Sequence, residues 1–249
     1  MRFNQAWPIA SESDMKNSCA YVDDDLLHLS DEQRKYMAIK EVINNSLLAD
    51  GDIIELGTGT GRNTITMAQE MRKRGIQNKK IYALDTFSGY TESDMILDEN
   101  ESGLRVNMDT CRWMGNPGLV EKRFIDADVE EFITIVVGDI SETTKYLRPQ
   151  SGKIALLYID CNAYSPSIAA INNLEKYFSP GCLVFTDSGH YVNHLNYQAP
   201  VEDRVLVGEH RALLEYYKRT NYPMFRTFFG DCCAFFITVP PSSWEYRDV

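Results

Sequence analysis

The chain has 249 residues, 44% apolar and 24% charged, ordinary values for a globular fold with a sizeable core, which leaves no room for a low-complexity or disordered reading. A net charge of −11 argues against nucleic acid as a partner, since phosphate binding needs a concentrated basic surface. No apolar run reaches membrane length, and Met1 to Ser13 lacks a basic stretch followed by an apolar core, so no membrane partner and a cytoplasmic location are expected.

Residues Met1 to Leu29, with Trp7, Pro8, Tyr21 and the run Asp23-Asp24-Asp25, show little periodicity and read as an irregular arm. Ser30-Asp31 opens a helix to about Leu48, with Tyr36, Met37, Ile39, Val42, Ile43 and Leu47 on one stripe, the pattern of a helix capping a sheet edge. Asp52-Ile53-Ile54-Glu55-Leu56 then reads as a strand, Gly57-Thr58-Gly59-Thr60-Gly61 as a tight turn, and Arg62 to Arg74 as a helix with Ile65, Met67, Ala68 and Met71 as its apolar members. Glycine lets backbone pass close to a ligand, and the free N–H groups of the next helix favour an anionic group. A nucleotide-like cofactor across the end of the first strand follows. The dense basic run Arg72-Lys73-Arg74 with Lys79-Lys80 falls at this helix's end, where its dipole favours cations.

Lys80 to Leu84 is a second buried strand closing on Asp85, and Thr86 follows it. Residues 86–131 are too long for an ordinary connection and carry Phe87, Tyr90, Trp113, Met108 and Met114; they are expected to form a helical insertion and lid. Phe132 to Val137 is the next strand, ending at Gly138-Asp139. After a short helix from Ser141 to Leu147, Ile154 to Ile159 is a continuous apolar strand ending at Asp160. Its lack of alternation suits a central parallel strand buried on both faces. Pro166 to Phe178 is a helix, Leu183 to Thr186 a strand ending at Asp187, and Val205 to Arg219 a helix. Met224 to Phe229 and Cys233 to Val239 form a closing antiparallel hairpin around Gly230-Asp231. Alternating strands and helices make this one doubly wound, Rossmann-like α/β domain over residues 1–249, with a seven-stranded sheet and N-terminal helices. The six cysteines show no C-x-x-C pair or zinc spacing and read as reduced and structural.

Spacing narrows the cofactor. A dinucleotide fingerprint is G-x-G-x-x-G, whereas the third glycine here comes one residue early and Glu55 stands two residues ahead of Gly57. A pyrophosphate would be repelled by that carboxylate; a cofactor with ammonium and sulfonium charges would welcome it. E-x-G-x-G-x-G, with an acid ending the next strand, resembles motif I of the class I S-adenosylmethionine-dependent methyltransferases. The resemblance implies cofactor contacts from Glu55, Gly57, Thr58, Gly59, Gly61, Asp85, Thr86 and Asp160. Asp85 would hold the ribose hydroxyls and Asp139 the adenine amino group.

Gly51 to Gly57, Leu84-Asp85-Thr86-Phe87-Ser88-Gly89, Leu157 to Asp160 and Ser179 to Asp187 occur in that order, and together look like the macrocin O-methyltransferase family, which methylates sugar hydroxyls. Similarity to catechol-type enzymes implies Mg²⁺ on Asp160 and Asp187, two carboxylates at neighbouring strand ends. Ser188 stands where that family places a second acid or asparagine, which leaves metal-bound and metal-free schemes both open. Without metal, Asp160 or His190 is the candidate base, with His194 a weaker one.

The sequence thus points to methylation of a hydroxyl on a small polyhydroxylated or glycosylated acceptor by a homo-oligomer. Metal-independent N- or O-methylation with a histidine base is the nearest alternative. A NAD-dependent oxidoreductase or a non-catalytic cofactor-binding module is the alternative from another class.

Overall fold

The computed structural model describes residues 7–18, 31–95, 115–186, 206, 208–229 and 232–241. The chain enters through a short strand β1 (Trp7–Ile9) and helix α1 (Glu12–Ser18), then a longer helix α2 (Asp31–Ser46). The alternation begins with β2 (Asp52–Leu56), α3 (Arg62–Lys73), β3 (Ile81–Asp85), α4 (Pro117–Asp126) and β4 (Ile133–Val137). It continues with α5 (Ile140–Tyr146), β5 (Ile154–Ile159), α6 (Tyr164–Leu174) and β6 (Phe178–Thr186). It closes with α7 (Gly208–Thr220) and the hairpin β7 (Met224–Phe229) and β8 (Cys232–Thr238).

The sheet order is β1-β7-β8-β6-β5-β2-β3-β4, with β2 to β6 parallel and β7 and β8 antiparallel. All seven expected strands are present. Trp7–Ile9 adds an eighth at the outer edge, pairing antiparallel with β7, Ile9 opposite Met224. Three residues with a central proline carry no legible strand signal. Proline is tolerated here because β1 is the outermost strand, with one side unpaired among the described residues.

Alternation in the inner strands divides two apolar layers. Ile53, Leu156, Tyr158, Leu183, Phe185, Ala234 and Phe236 pack with Ile39, Val42 and Ile43 of α2, Met67, Ala68 and Met71 of α3, and Val120 and Phe124 of α4. Ile54, Leu56, Leu157, Ile159, Val184, Phe235 and Ile237 face the other layer, with Met15 of α1, Ile140 of α5, Ala170, Ile171 and Leu174 of α6, and Leu213 and Tyr216 of α7. Every residue of β5 is buried, which is why Ile-Ala-Leu-Leu-Tyr-Ile shows no polar alternation.

The expected insertion between β3 and β4 contains an ordinary crossover helix. Asn116 caps α4 by accepting from the Gly118 and Leu119 amides at 2.9 and 3.3 Å, and Pro117 sits in the first turn, where its missing N–H is harmless. Of the lid and insertion expected over residues 86–131, residues 96–114 lie outside the described residues. Cys161 and Cys182 are buried free thiols. Cys19 and Cys111, and the side chains of Cys232 and Cys233, fall outside the described residues. No helix among the described residues is long and apolar enough to cross a membrane.

Candidate active site

Strand order reverses between β2 and β5: β3 and β4 extend to one side, β6 to the other. In open α/β sheets a ligand crevice forms at the carboxyl ends of strands at such a switch point. The sequence-predicted residues that the structure describes gather there. Gly57 to Gly61 follow β2, Asp85 ends β3, Asp139 follows β4 and Asp160 follows β5.

The glycine turn is locked to both neighbouring strands. The amides of Gly57 and Thr58 donate to the Leu84 carbonyl at 2.9 and 3.3 Å, and the Asp160 amide donates to the Leu56 carbonyl at 2.8 Å. A Cβ on Gly57 would stand 2.1 Å from the Asp160 carbonyl oxygen, so this position has no room for any side chain. A Cβ on Gly61 would meet the Phe124 ring at 2.5 Å, making the third glycine the seat of α4. Gly59, at φ 53°, has nothing within 4 Å of where a Cβ would be. The turn is therefore tight on its protein side and open at its tip, the shape a cofactor at backbone distance requires. Arg123 of α4 steadies the same loop by donating to the Thr60 carbonyl at 2.6 Å.

The acids do different work. Glu55 is fully buried and accepts from the hydroxyls of Thr64, in the first turn of α3, and Thr58, the latter at 3.4 Å. Asp85 accepts from the Gly59 amide at 2.7 Å through one oxygen and from the Phe87 amide at 2.7 Å through the other. The acid expected to hold a ribose thus also fastens the tip of the glycine turn. Phe87, forced to φ 54°, lies buried in the layer with Val120 and Phe124. Thr86 closes its own turn, its hydroxyl donating to the Gly89 carbonyl at 2.6 Å. Asp139 caps α5 by accepting from the Ser141 amide at 2.7 Å, and Gly138 donates to the Asp85 carbonyl at 2.9 Å, drawing the β4 end beside the β3 end.

Asp160 is half-buried, and its carboxylate accepts from the Asn63 amide side chain at 3.0 Å, which ties α3 to the end of β5. Asn162 adopts φ 59°, a left-handed conformation uncommon outside glycine, and its amide donates at 2.9 Å to Glu209 of α7. Burial, with a smaller push from the Glu209 carboxylate, raises the Cys161 thiol well above its ordinary value, so it is a packing group rather than a nucleophile.

His190 and Asp187, the candidate base and second metal ligand, lie outside the described residues, as do Ser188 and His194. Among the described residues no three His, Cys, Asp or Glu side chains converge to hold a metal ion. Asn63, Thr64, Phe87, Asn162 and Glu209 were not legible as site residues. Asn63 and Thr64 follow the glycine turn directly, so their place in the first helical turn was the available signal; Glu209 lies 49 residues beyond Asp160 in sequence and had none.

Solved structures with this fold include the O-methyltransferase NovP, 16% identical with a TM-score of 0.64 over 84% of this chain and 80% of that one. The calicheamicin methyltransferase CalS11 is 21% identical with a TM-score of 0.61 over 83% and 79%. The O-methyltransferase TomG from Streptomyces achromogenes, in complex with S-adenosylmethionine, is 14% identical with a TM-score of 0.51 over 94% and 92%. At these identities the likeness bears on the fold. No curated protein matches the sequence. The family described as Methyltransferase domain matches residues 54–189, a span that runs from the glycine turn past Asp160 and covers more than half of the chain. With that match, the switch-point crevice and the open glycine turn together, the chain belongs to this family and is a class I S-adenosylmethionine-dependent methyltransferase.

Proposed function

We propose that the enzyme methylates a hydroxyl oxygen of a small polyhydroxylated or glycosylated metabolite. The observation that carries the reading is Asp160, a half-buried carboxylate held by Asn63 at the end of β5, its backbone packed against Gly57 of the glycine turn. Among proteins of similar fold, an O-methyltransferase and a TDP-rhamnose 3'-O-methyltransferase support an oxygen acceptor on a sugar.

S-adenosylmethionine supplies, when bound, an electrophilic methyl carbon on a positive sulfonium. Glu55 and Asp160 place negative charge around that end of the crevice. Gly59 and Asp85 would hold the ribose, and Asp139, one strand further out after β4, would take the base. With acceptor and cofactor bound, the methyl group would pass to the acceptor oxygen as the demethylated cofactor leaves, and Asp160 or His190 would take the hydroxyl proton. Holding oxygen, carbon and sulfur in line supplies much of the rate.

The test is methyl transfer from labelled S-adenosylmethionine to a panel of free and nucleotide-linked sugars. Asp160→Asn should lower turnover by about 10²-fold or more, the range for losing a general base, while the cofactor still binds. An active Asp160→Asn variant would remove Asp160 from the chemistry. Full activity in EDTA assigns proton removal to side chains alone; loss that Mg²⁺ restores assigns Asp160 and Asp187 to a metal.

A further inference from the structure

Glu209 is a fully buried carboxylate in the first turn of α7 that the proposed chemistry does not use. Three observations place it behind Asp160. Its Oε2 accepts the Asn162 amide at 2.9 Å, two residues past Asp160. Asn162 holds φ 59°, a conformation that costs asparagine less than most residues but more than glycine and that persists where its surroundings enforce it. The neighbouring Gly208, at φ 57°, would put a Cβ 2.7 Å from the Asn162 carbonyl oxygen, so α7 presses directly on this turn. The turn is thus gripped from outside the sheet by α7, while Asn63 of α3 takes the Asp160 carboxylate from the cofactor side at 3.0 Å.

We propose that Glu209 is a positioning residue for methyl transfer: by accepting the Asn162 amide hydrogen it holds the turn after β5 in its left-handed form and so fixes the Asp160 carboxylate toward the cofactor. The proposal rests on Asp160 belonging to the site, as argued above. A merely structural carboxylate would weaken folding and cofactor binding regardless of what residue 160 is. A positioning carboxylate loses its effect once Asp160 has gone.

A double-mutant cycle on S-adenosylmethionine affinity, read by calorimetry, separates the two. Glu209→Leu should weaken binding about tenfold in the wild-type background and less than about twofold in Asp160→Ala, the signature of two residues acting through one another. Glu209→Gln, which keeps an acceptor oxygen, should stay within about threefold of wild type. Adding Asn162→Gly to Glu209→Leu should return most of the affinity, because glycine takes the left-handed conformation unaided. Should Glu209→Leu not fold, Glu209→Asp draws the oxygen back by one methylene with the charge kept and carries the same cycle. Equal losses in both backgrounds, or no loss at all, overturn the proposal. A wild-type protein that fails to bind S-adenosylmethionine overturns the functional reading instead, so the two failures are distinct.

Discussion

Residues of one type do opposite work in this molecule, and position decides which. Asp52 and Asp85 each accept two backbone amides, Asp52 from Lys80 and Ser151 at 3.0 and 2.9 Å, Asp85 from Gly59 and Phe87. Asp52 begins β2 and is 1% exposed, so it staples the closed end of the sheet; Asp85 ends β3, at the crevice. The glycines divide in the same way. Gly57→Ala meets the Asp160 carbonyl at 2.1 Å as well as the cost of φ 86°, whereas Gly59→Ala meets open space. Gly57→Ala should therefore lower stability by more than about 2 kcal/mol, measured by urea unfolding, adding backbone contact to the conformational penalty. Gly59→Ala should cost only about 1–2 kcal/mol of stability from its backbone conformation. It should instead weaken S-adenosylmethionine binding, because the new methyl projects into the crevice. If Gly59→Ala binds the cofactor as wild type does, the tip of the turn is not where the cofactor lies.

Elements were legible where their local pattern matched their surroundings. β2, β5 and β7 begin and end where the sequence places them, because each is rich in apolar or β-branched residues and is bounded by glycine, lysine, proline or aspartate. β6 was read four residues from its end and proves to be Phe178–Thr186. Pro180-Gly181 looks like a loop, yet Gly181 at φ 85° donates to the Val239 carbonyl at 2.7 Å and the register with β5 shifts between Ile154 and Leu156, so the pair is a bulge inside the strand. Phe132 was read into β4 and instead closes a 3₁₀ turn, Glu130–Phe132. The joint between α2, β2 and β3 was not legible at all. Lys79, read as part of a basic run favoured by the dipole at the end of α3, is 7% exposed and donates to the Ala49 and Gly51 carbonyls at 2.5 and 2.8 Å. Burial lowers its pKa from 10.5, against smaller opposing pulls from Asp50 and Asp52. Between the lowered folded value and 10.5 the unfolded chain binds the extra proton, so rising pH favours the folded state across that window. Urea midpoints of wild type should therefore rise relative to Lys79→Met as pH climbs toward 10.5; parallel curves would place the amine in water rather than at the joint.

At the scale of the whole molecule, a net charge of −11 and a row of acids along the carboxyl edge of the sheet bear on which cofactor the crevice accepts. Asp139, Asp85, Glu55 and Asp160 follow one another along neighbouring strands β4, β3, β2 and β5. Dinucleotides bring a pyrophosphate to the glycine turn, where Glu55 is fully buried beneath it and no basic side chain enters the described hydrogen bonds of Gly57 or Gly59. S-adenosylmethionine brings positive charge to the same place. A ligand that binds only the folded state stabilises it by mass action, about 2.7 kcal/mol at a hundred times its dissociation constant. For a chain of this size each kcal/mol moves the melting temperature by about 2–4 °C, so saturating S-adenosylhomocysteine should raise it by about 5–10 °C. NAD at the same concentration should leave it unchanged. The demethylated product lacks the sulfonium charge but keeps the ammonium, ribose and adenine, so a shift with it and a larger one with S-adenosylmethionine would give the share that the acids contribute through the sulfonium. A shift with NAD equal to that with S-adenosylhomocysteine would mean that Glu55 does not exclude a pyrophosphate, and that shape at Gly59 rather than charge at Glu55 selects the ligand.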